Sequence, residues 1–524
     1  MKHLMRILSL GTFFALGLAS AHAGPIKHQA NSLTIVDIHQ EPIANAQVLI
    51  GRAVDNPFPG NLLVSDDKGE ISLPLNWKTP LPVTVMVNGF VKTTFLEVSP
   101  EQTLLEVNSG DGQDRIEVKG ITKDYGRLRR DGKVDFGLVI PALSRRTMLN
   151  FDVSSVISPE ADVIKVITKR MNVPSNISLP NQKESYILPI TLDKPQYRMY
   201  FRQPGEYTMT ATHGQFPLEK VVDRLRAGDS FFDVLNEFQF FGGGELDVSA
   251  GSSLAGQDIS VNQYQFAGVT KLQGPSYTND KVMLTLALMN ENGLMKPSDL
   301  KKVGPGETVE LKTHPKGGDR LLLSALLPRP ASVVNKVKTF LDELFAVPDP
   351  INPDNVLSLS PFGDYDHLLP SDGEEDDIEL DLTVALERAG QVSLVMQSDI
   401  GVNGPPQFLP LVDRPLVGNN VVSVTPPTIP EGLYQVGTYV TLSQIESTEK
   451  DGFVSEKKTR LWEFVANSWV DQIVVPDTGN TLGSTVTRRW EVMFLASPEG
   501  QLKLHDGSVA IDSITHVTRN SIDL

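Results

Sequence analysis

Short runs of alternating apolar residues, separated by turn signals, constrain the fold of residues 33–98 more than any other feature of the chain. Leu33 and Ile35 begin the first run, and the pattern resumes at Val48 and Ile50 after a break at Pro42. Residues 83–87 carry valine at every second position. Because successive side chains of a strand point to opposite faces of a sheet, this period of two predicts half-buried β-strands.

Two turn signals divide these strands. Asp66-Asp67-Lys68-Gly69 predicts a hairpin, because aspartate side chains accept hydrogen bonds from nearby amides and Gly69 can adopt a positive φ. Asn88-Gly89 predicts a second tight turn. Together the strands and turns predict a small β-sandwich.

The order of these strands and turns resembles the carboxypeptidase regulatory-like domain, a transthyretin-like β-sandwich. The resemblance rests on Asn45-Ala46 with Val48, on the Asp67-Lys68-Gly69 turn with Ile71, and on Asn88-Gly89-Phe90. It implies a sandwich over residues 24–108 but no particular chemistry, since such domains are attached to enzymes, transporters and surface proteins alike. A pilin-type sandwich locked by a Lys–Asn bond is disfavoured, because residues 33–40 contain no lysine.

Residues 1–23 have the features of a secretory signal peptide. Basic residues precede an apolar run at residues 7–18, and Ala21 and Ala23 provide small side chains for cleavage before Gly24. No later apolar run is long enough to span a bilayer as a helix, so no transmembrane segment is expected after cleavage. We therefore predict an exported protein of the bacterial periplasm, outer surface or medium.

Composition narrows the classes of partner. The formal net charge is −17, and it becomes −19 when Lys2 and Arg6 leave with the signal peptide. Nucleic-acid binding needs basic surfaces that neutralise phosphates, so no nucleic-acid partner is expected. The chain contains no cysteine, which excludes disulfides and thiolate chemistry and fits a bacterial envelope better than a eukaryotic secretory route.

The remaining chain is predicted to be mostly β, as tandem antiparallel sandwiches of the Ig-like or transthyretin-like kind. Residues 109–133 are expected to form a linker or hairpin, and residues 134–330 a second, larger β-rich domain. An amphipathic helix at residues 332–347 and an acidic loop make up residues 331–378. Residues 379–524 are expected to form a C-terminal sandwich-like domain with a polar tail after Gly500.

Finer features are predicted within these domains. A helical insertion is expected near residues 217–239, because Leu218, Val221 and Leu225 recur at helical spacing. Gly242-Gly243-Gly244 is interpreted as the bend that ends it. Residues 449–452 are expected to turn a hairpin between strands at residues 439–445 and 453–464.

One set of motifs resembles the ordered blocks of the Gly-Asp-Ser-type esterases: Gly228-Asp229-Ser230, Thr278-Asn279-Asp280 and Asp364-Tyr365-Asp366-His367. The resemblance implies Ser230 as nucleophile, Asn279 as oxyanion donor, His367 as general base and Asp364 as the residue that orients this base. The sequence context differs, because Ser230 follows an amphipathic helix instead of a buried strand. We therefore predict a protein that is not an enzyme, with the esterase as an alternative.

Two further groups are candidate binding residues. Asp364, Asp366, Asp372 and Glu374 cluster oxygen ligands that suit Ca²⁺, although their spacing matches no standard calcium loop. No other cofactor is expected. Trp462, Trp469 and Trp490 could stack on sugar rings if exposed, whereas buried indoles would fill a sandwich core.

These patterns favour an exported, non-enzymatic envelope or surface protein. It would bind an envelope protein or a glycan through loops or sheet edges. The alternatives are a carbohydrate-binding protein that uses the C-terminal tryptophans and the esterase centred on Ser230.

Overall fold

The computed structural model describes residues 32–110, 116–126, 132–145, 161–166, 169–180, 194–201, 204–217, 220–221, 223–224, 227, 229, 231–314, 319–329, 346–348, 356–358, 390–398, 404–450, 453–479, 486–500 and 502–524. Its regular structure is almost entirely β-strand, so the predicted mostly β class is confirmed.

The strands fall into four groups along the chain. The first group is β1 (Ser32–Val36), β2 (Gln47–Ile50), β3 (Phe58–Val64), β4 (Glu70–Ser72), β5 (Leu81–Met86), β6 (Lys92–Val98) and β7 (Leu104–Glu106). The second is β8 (Ile116–Lys123), β9 (Lys133–Pro141), β10 (Ala161–Val166), β11 (Lys169–Pro174), β12 (Ile177–Ser178), β13 (Gln196–Phe201), β14 (Gly205–Pro217), β15 (Gln239–Ala250), β16 (Ile259–Ser260) and β17 (Tyr264–Gln265). The third is β18 (Gly268–Gln273), β19 (Lys281–Glu291), β20 (Leu294–Lys302), β21 (Thr308–Thr313), β22 (Asp319–Pro328), β23 (Ala346–Pro348) and β24 (Val356–Ser358). The fourth is β25 (Val392–Ser398), β26 (Leu416–Gly418), β27 (Val421–Ser423), β28 (Tyr434–Lys450), β29 (Phe453–Ala466), β30 (Gln472–Val474), β31 (Thr487–Ser497) and β32 (His516–Asp523).

The named helical pieces of the described chain are short. Helix α1 (Phe231–Val234) continues into a 3-10 turn at Leu235–Glu237, inside the helical insertion predicted near residues 217–239. A second 3-10 turn at Leu504–Asp506 precedes helix α2 (Ser508–Ser513). The helix predicted at residues 332–347 lies outside the described residues except at its end, where Ala346 and Val347 belong to strand β23. Among the described residues, no helix is long and apolar enough to cross a membrane.

The first group of strands forms the predicted two-sheet sandwich. Sheet β4-β1-β7 packs against β3-β2-β5-β6, and the alternating residues Leu33, Ile35, Val83 and Val85 are buried between the two sheets. The Asn88-Gly89 turn joins paired strands β5 and β6, as predicted.

The Asp66–Gly69 signal makes a turn but not a hairpin. The Oδ1 atom of Asp66 accepts hydrogen bonds from the amides of Lys68 and Glu70, each at 2.9 Å, and Gly69 adopts φ +71°. The strands on either side nevertheless belong to opposite sheets, since β3 pairs with β2 and β4 pairs with β1. The hairpin prediction is therefore wrong, because turn residues specify a change of direction and not the partner of the next strand.

A twelve-stranded sheet unites parts of the chain that the sequence divides into separate domains. Its order is β20-β19-β22-β25-β32-β31-β28-β29-β6-β5-β2-β3. The first sandwich joins the C-terminal strands through β6 and β29, which run parallel and pair Trp462 with Lys92 and Val465 with Phe95. The predicted hairpin of β28 and β29 is confirmed, with Lys450 opposite Phe453 at its turn.

The second group of strands forms its own sandwich. The five-stranded sheet β12-β9-β14-β15-β17 and the three-stranded sheet β13-β8-β16 enclose a core that includes Val118, Val139 and Tyr197. Strand β8 takes residues that were predicted to lie in the linker or hairpin at 109–133.

The three consecutive glycines at residues 242–244 lie inside strand β15, so their interpretation as a bend is wrong. A Cβ atom on Gly244 would lie 1.8 Å from the carbonyl oxygen of Ser260, and one on Gly242 would lie 2.2 Å from that of Tyr264. The glycines therefore allow close backbone approach, a role that glycine also serves in strand interiors.

The tail after Gly500, predicted to be polar, is instead part of the sheet. Strand β32 lies between β25 and β31 and is antiparallel to both. Two of its polar side chains bond to a neighbouring loop: Thr518 donates to the carbonyl of Pro410 at 3.0 Å, and Asn520 donates to that of Val412 at 2.8 Å.

Candidate functional site

Most residues of the esterase-like set lie outside the described residues. Of the four residues with an implied catalytic role, Ser230, Asp364 and His367 lie outside the described residues, and Asn279 is described. Asn279 sits in a turn, where its backbone carbonyl accepts a hydrogen bond from Nε of Arg329 at 3.2 Å. The esterase alternative stays a prediction.

The calcium candidates Asp364, Asp366, Asp372 and Glu374 also lie outside the described residues. Within the part of the chain that the structure describes, no group of three or more His, Cys, Asp or Glu side chains is arranged to hold a metal ion. The calcium loop therefore stays a prediction.

The three C-terminal tryptophans belong to one apolar core. Trp462 and Trp490 are 3% and 5% exposed, and Trp462 donates through Nε1 to Oγ1 of Thr94 at 2.8 Å. Trp469 is half-buried, packs edge-on against Phe494 and donates to the carbonyl of Leu495 at 2.9 Å. Because stacking on a sugar needs a free ring face, this arrangement does not favour glycan binding by the pair Trp462 and Trp490.

A small cavity lies where the first sandwich meets the C-terminal strands. Its polar lining includes Glu106 at the end of strand β7, Asn108 just after that strand, Glu463 on β29, Tyr439 on β28 and His505 in the 3-10 turn. Its volume is about 40 Å³, and a water molecule needs roughly 10–15 Å³ on the same measure. The cavity can therefore hold a few waters but no sugar ring.

Carboxylates hold this junction together. Oε2 of Glu106 accepts hydrogen bonds from Nε2 of Gln40 at 2.8 Å and from Oγ of Ser508 at 2.8 Å. Oε2 of Glu463 accepts from Nδ2 of Asn108 at 2.8 Å. Strand residues of the first sandwich are thus bonded to the start of helix α2 and to β29, so the two units form one interlocked body.

His505 is the one imidazole at the cavity wall among its described lining residues. Its side chain is buried, its Nε2 lies 3.3 Å from the carbonyl oxygen of Val465, and its ring meets Phe95 edge-on. Burial lowers the pKa of His505 to about 4. The ring is therefore neutral at pH 7, and Nε2 donates its proton to Val465.

A second polar cluster lies on the same sheet, around Glu491. Its carboxylate accepts from Nζ of Lys458 at 2.8 Å and also pairs with the guanidinium of Arg519. Burial opposes ionisation of this carboxyl, but the two cations more than offset it and hold the pKa of Glu491 at about 2. Glu491 is therefore ionised at neutral pH, which makes this cluster a structural ion network.

The structure also pairs Asp135 with His213, which sequence analysis missed. Nε2 of His213 lies 2.8 Å from Oδ1 of Asp135, and the ring packs edge-on against Tyr125. Gln215 approaches the same carboxylate at 3.4 Å. No local motif signals this contact, because Asp135 and His213 are on neighbouring strands and 78 positions apart.

The two outer edges of the twelve-stranded sheet are both protected. Strand β20 is covered by the second sandwich, through backbone hydrogen bonds between Leu143 and Met295 and an ion pair of 2.6 Å between Lys296 and Glu245. At the other end, β3 departs from β2 in a wide irregularity that contains Pro59. Proline and bulges are common ways to prevent strand addition at an edge.

No protein-family model matches the chain. No curated protein matches it either. Three solved structures show weak similarity. The Bacillus anthracis TIE protein is 11% identical with a TM-score of 0.15, and the match covers 57% of this chain and 45% of that one. The Streptococcal ancillary pilin is 10% identical with a TM-score of 0.14, covering 56% of this chain and 88% of that one, and BcpA, the major pilin subunit of Bacillus cereus, is 10% identical with a TM-score of 0.13, covering 68% of this chain and 98% of that one. The chain thus spans less than half the length of the Bacillus anthracis protein. These TM-scores are too low to transfer a site or an activity.

Proposed function

We propose that the protein is an exported, non-catalytic scaffold of the bacterial envelope or surface that presents loops to a protein or glycan partner. The proposal is supported most by the twelve-stranded sheet, which joins the first sandwich and the C-terminal strands into one body. A rigid β-framework of this kind holds surface loops in fixed positions for binding.

Two observations narrow how a partner would be bound. The protected edges β3 and β20 disfavour strand addition at the ends of the sheet. The burial of Trp462 and Trp490 disfavours sugar stacking on these rings. Loops between the strands are the remaining candidate surface.

Export is tested by fractionating cells that express the full chain, with cytoplasmic and periplasmic marker proteins followed in parallel. We expect the protein outside the cytoplasm, with a mature mass that corresponds to a chain starting at Gly24. Retention in the cytoplasm with Met1 still present would contradict the proposal.

Binding is tested by cross-linking in intact cells, followed by purification and identification of the captured molecules, and by titrating purified mature protein with envelope glycans. A saturable partner that competes with unlabelled mature protein is expected. Hydrolysis of a model ester that is abolished by Ser230→Ala would instead establish the esterase and overturn the proposal.

A further inference from the structure

The connection between strands β31 and β32 lies over the junction of the first sandwich and the C-terminal strands. Residues 504–513, here called the flap, comprise the 3-10 turn and helix α2. Leu504 and Ala510 are buried in the core shared with the first sandwich. The flap is therefore part of the contact that closes this junction.

Hydrogen bonds at several points hold the flap in place. The carbonyl of His505 accepts from Nε2 of Gln102 at 3.4 Å, and the carbonyl of Ser513 accepts from Oγ of Ser497 at 2.8 Å. The carboxylate of Glu106 accepts from the hydroxyl of Ser508 at 2.8 Å and from its backbone amide at 3.2 Å, which caps the start of α2. The backbone amide of His505 donates to Oδ1 of Asn467 at 2.8 Å. None of these contacts is a pairing of the twelve-stranded sheet, so breaking them leaves its strands paired.

The side chain of His505 occupies the inner surface of the flap. It is 1% exposed, and it shares the cavity wall with Glu106, Glu463 and Tyr439, while Lys503 and Asp506 are the charged residues beside it on its own segment. Both carboxylates are already engaged, Glu106 by Gln40 and Ser508 and Glu463 by Asn108 and Arg460. The hydrogen bond of the His505 ring goes instead to the carbonyl of Val465.

We propose that protonation of His505 releases the flap from the junction, so that mild acid exposes the apolar strip beneath it. A charged ring in this position would be largely removed from solvent, with room beside it for only a few waters, and burying such a charge is strongly unfavourable. Moving the flap outward restores hydration to the ring, but it breaks these hydrogen bonds and exposes Leu504 and Ala510. The strip thus uncovered includes Val465, Leu495 and Phe95.

The direction of the pH effect follows from the buried and exposed forms of His505. Its pKa is about 4 when the flap is closed, and about 6.5 when the ring is in water. The closed form is fully stable above pH 6.5 and loses stability as the pH falls towards 4. At pH 5 this difference raises the opening equilibrium roughly 30-fold over its value at pH 8.

His516 provides a matched control. Burial lowers its pKa to about 4 as well, but it lies on β32 between two paired strands, where Nδ1 is bonded to the hydroxyl of Thr515 at 2.7 Å. Its side chain is also bonded to the backbone of Gln407, so relief of a charge on His516 involves this loop and not the flap. Comparing variants of the two histidines therefore distinguishes local release of the flap from a general loss of stability in acid.

Hydrogen exchange of the mature full-length protein tests the proposal at pH 8 and pH 5, with rates corrected for the intrinsic effect of pH. We expect peptides from the flap to show a roughly 30-fold larger opening equilibrium at pH 5, while β28 and β31 stay protected. His505→Gln should remove this response, and His516→Gln should retain it. If the Gln variant does not fold, His505→Phe replaces the ring with an uncharged one that can pack on Phe95.

A Glu106→Gln variant provides an independent check. Weakening the cap of α2 should raise flap exchange at both pH values and leave the ratio between them unchanged. Equal flap protection at pH 8 and pH 5 in the unaltered protein, or a pH response that persists in the His505 variants, would overturn the proposal.

Discussion

At the scale of single residues, the informative groups are buried charges whose partners come from distant strands. Glu491 on β31 is held between Lys458 of β29 and Arg519 of β32. The three side chains are 15% exposed or less, so solvent screens their interactions weakly. Breaking such a network by removing one partner leaves an uncompensated buried charge.

Glu491→Gln tests this network through its pH dependence. The pKa of Glu491 in the folded protein, about 2, lies below the value of about 4.3 expected for an unfolded chain. The carboxylate therefore stabilises the fold above pH 4.3, and this contribution, about 3 kcal/mol, is lost as the pH falls towards 2. We expect the free energies of unfolding of the two proteins, measured in urea, to differ by roughly this amount at pH 7 and to converge as the pH falls towards 2.

Glu310→Gln is the control for this experiment, because the ion pair of Glu310 with Lys271 is largely exposed. Exposed pairs contribute about 0–1 kcal/mol, so this variant should change stability little at any pH. A constant difference between Glu491→Gln and the unaltered protein across the whole pH range would contradict the assigned pKa.

At the scale of elements, the packing of β15 depends on its glycines. Gly244→Ala would place a methyl group against the carbonyl oxygen of Ser260, a backbone atom that cannot move without shifting β16. Overpacking of this kind destabilises proteins by roughly 1–3 kcal/mol or more. We expect a loss of at least this size in the free energy of unfolding.

Gly251→Ala tests whether the effect comes from the close approach and not from glycine as such. Gly251 follows the same strand, and a Cβ atom there meets nothing within 4 Å. Its substitution should change stability by less than about 0.5 kcal/mol. Equal effects of the two substitutions on thermal and urea unfolding would show that the close contact at Gly244 does not determine the loss of stability.

Local periodicity predicted some elements well and their partners poorly. The alternation at residues 83–87 gave strand β5, and the turn residues 449–452 gave the β28–β29 hairpin, because both signals act over a few neighbouring residues. The parallel pairing of Phe95 with Val465 has no such signal, because the two residues lie far apart in the sequence. The same holds for the cavity, where Asn108 and His505 meet only through long-range packing.

At the scale of the whole molecule, the shared sheet predicts that the first sandwich and the C-terminal strands unfold together. Residues of the two units exchange hydrogen bonds at Glu106 and Asn108, and Lys92 lies 4.2 Å from the ring centroid of Trp462. We expect hydrogen exchange in increasing urea to deprotect β5 and β31 at the same midpoint. A first sandwich that opens at lower urea, with β31 still protected, would show that the parallel pair couples the units only weakly.

The pairing of β6 with β29 also has a consequence for biosynthesis. Lys92 donates a hydrogen bond to Thr478, which is 386 positions away in the sequence. Contacts between such distant residues raise the mean sequence separation of contacting residues. Chains with such topology fold slowly, because an early strand must wait for a late one. Until β29 has been synthesised, the N-terminal half of the chain would expose the edge of β6. We therefore expect this protein to benefit from a chaperone or a transport machinery that keeps the chain extended until its last strand is available.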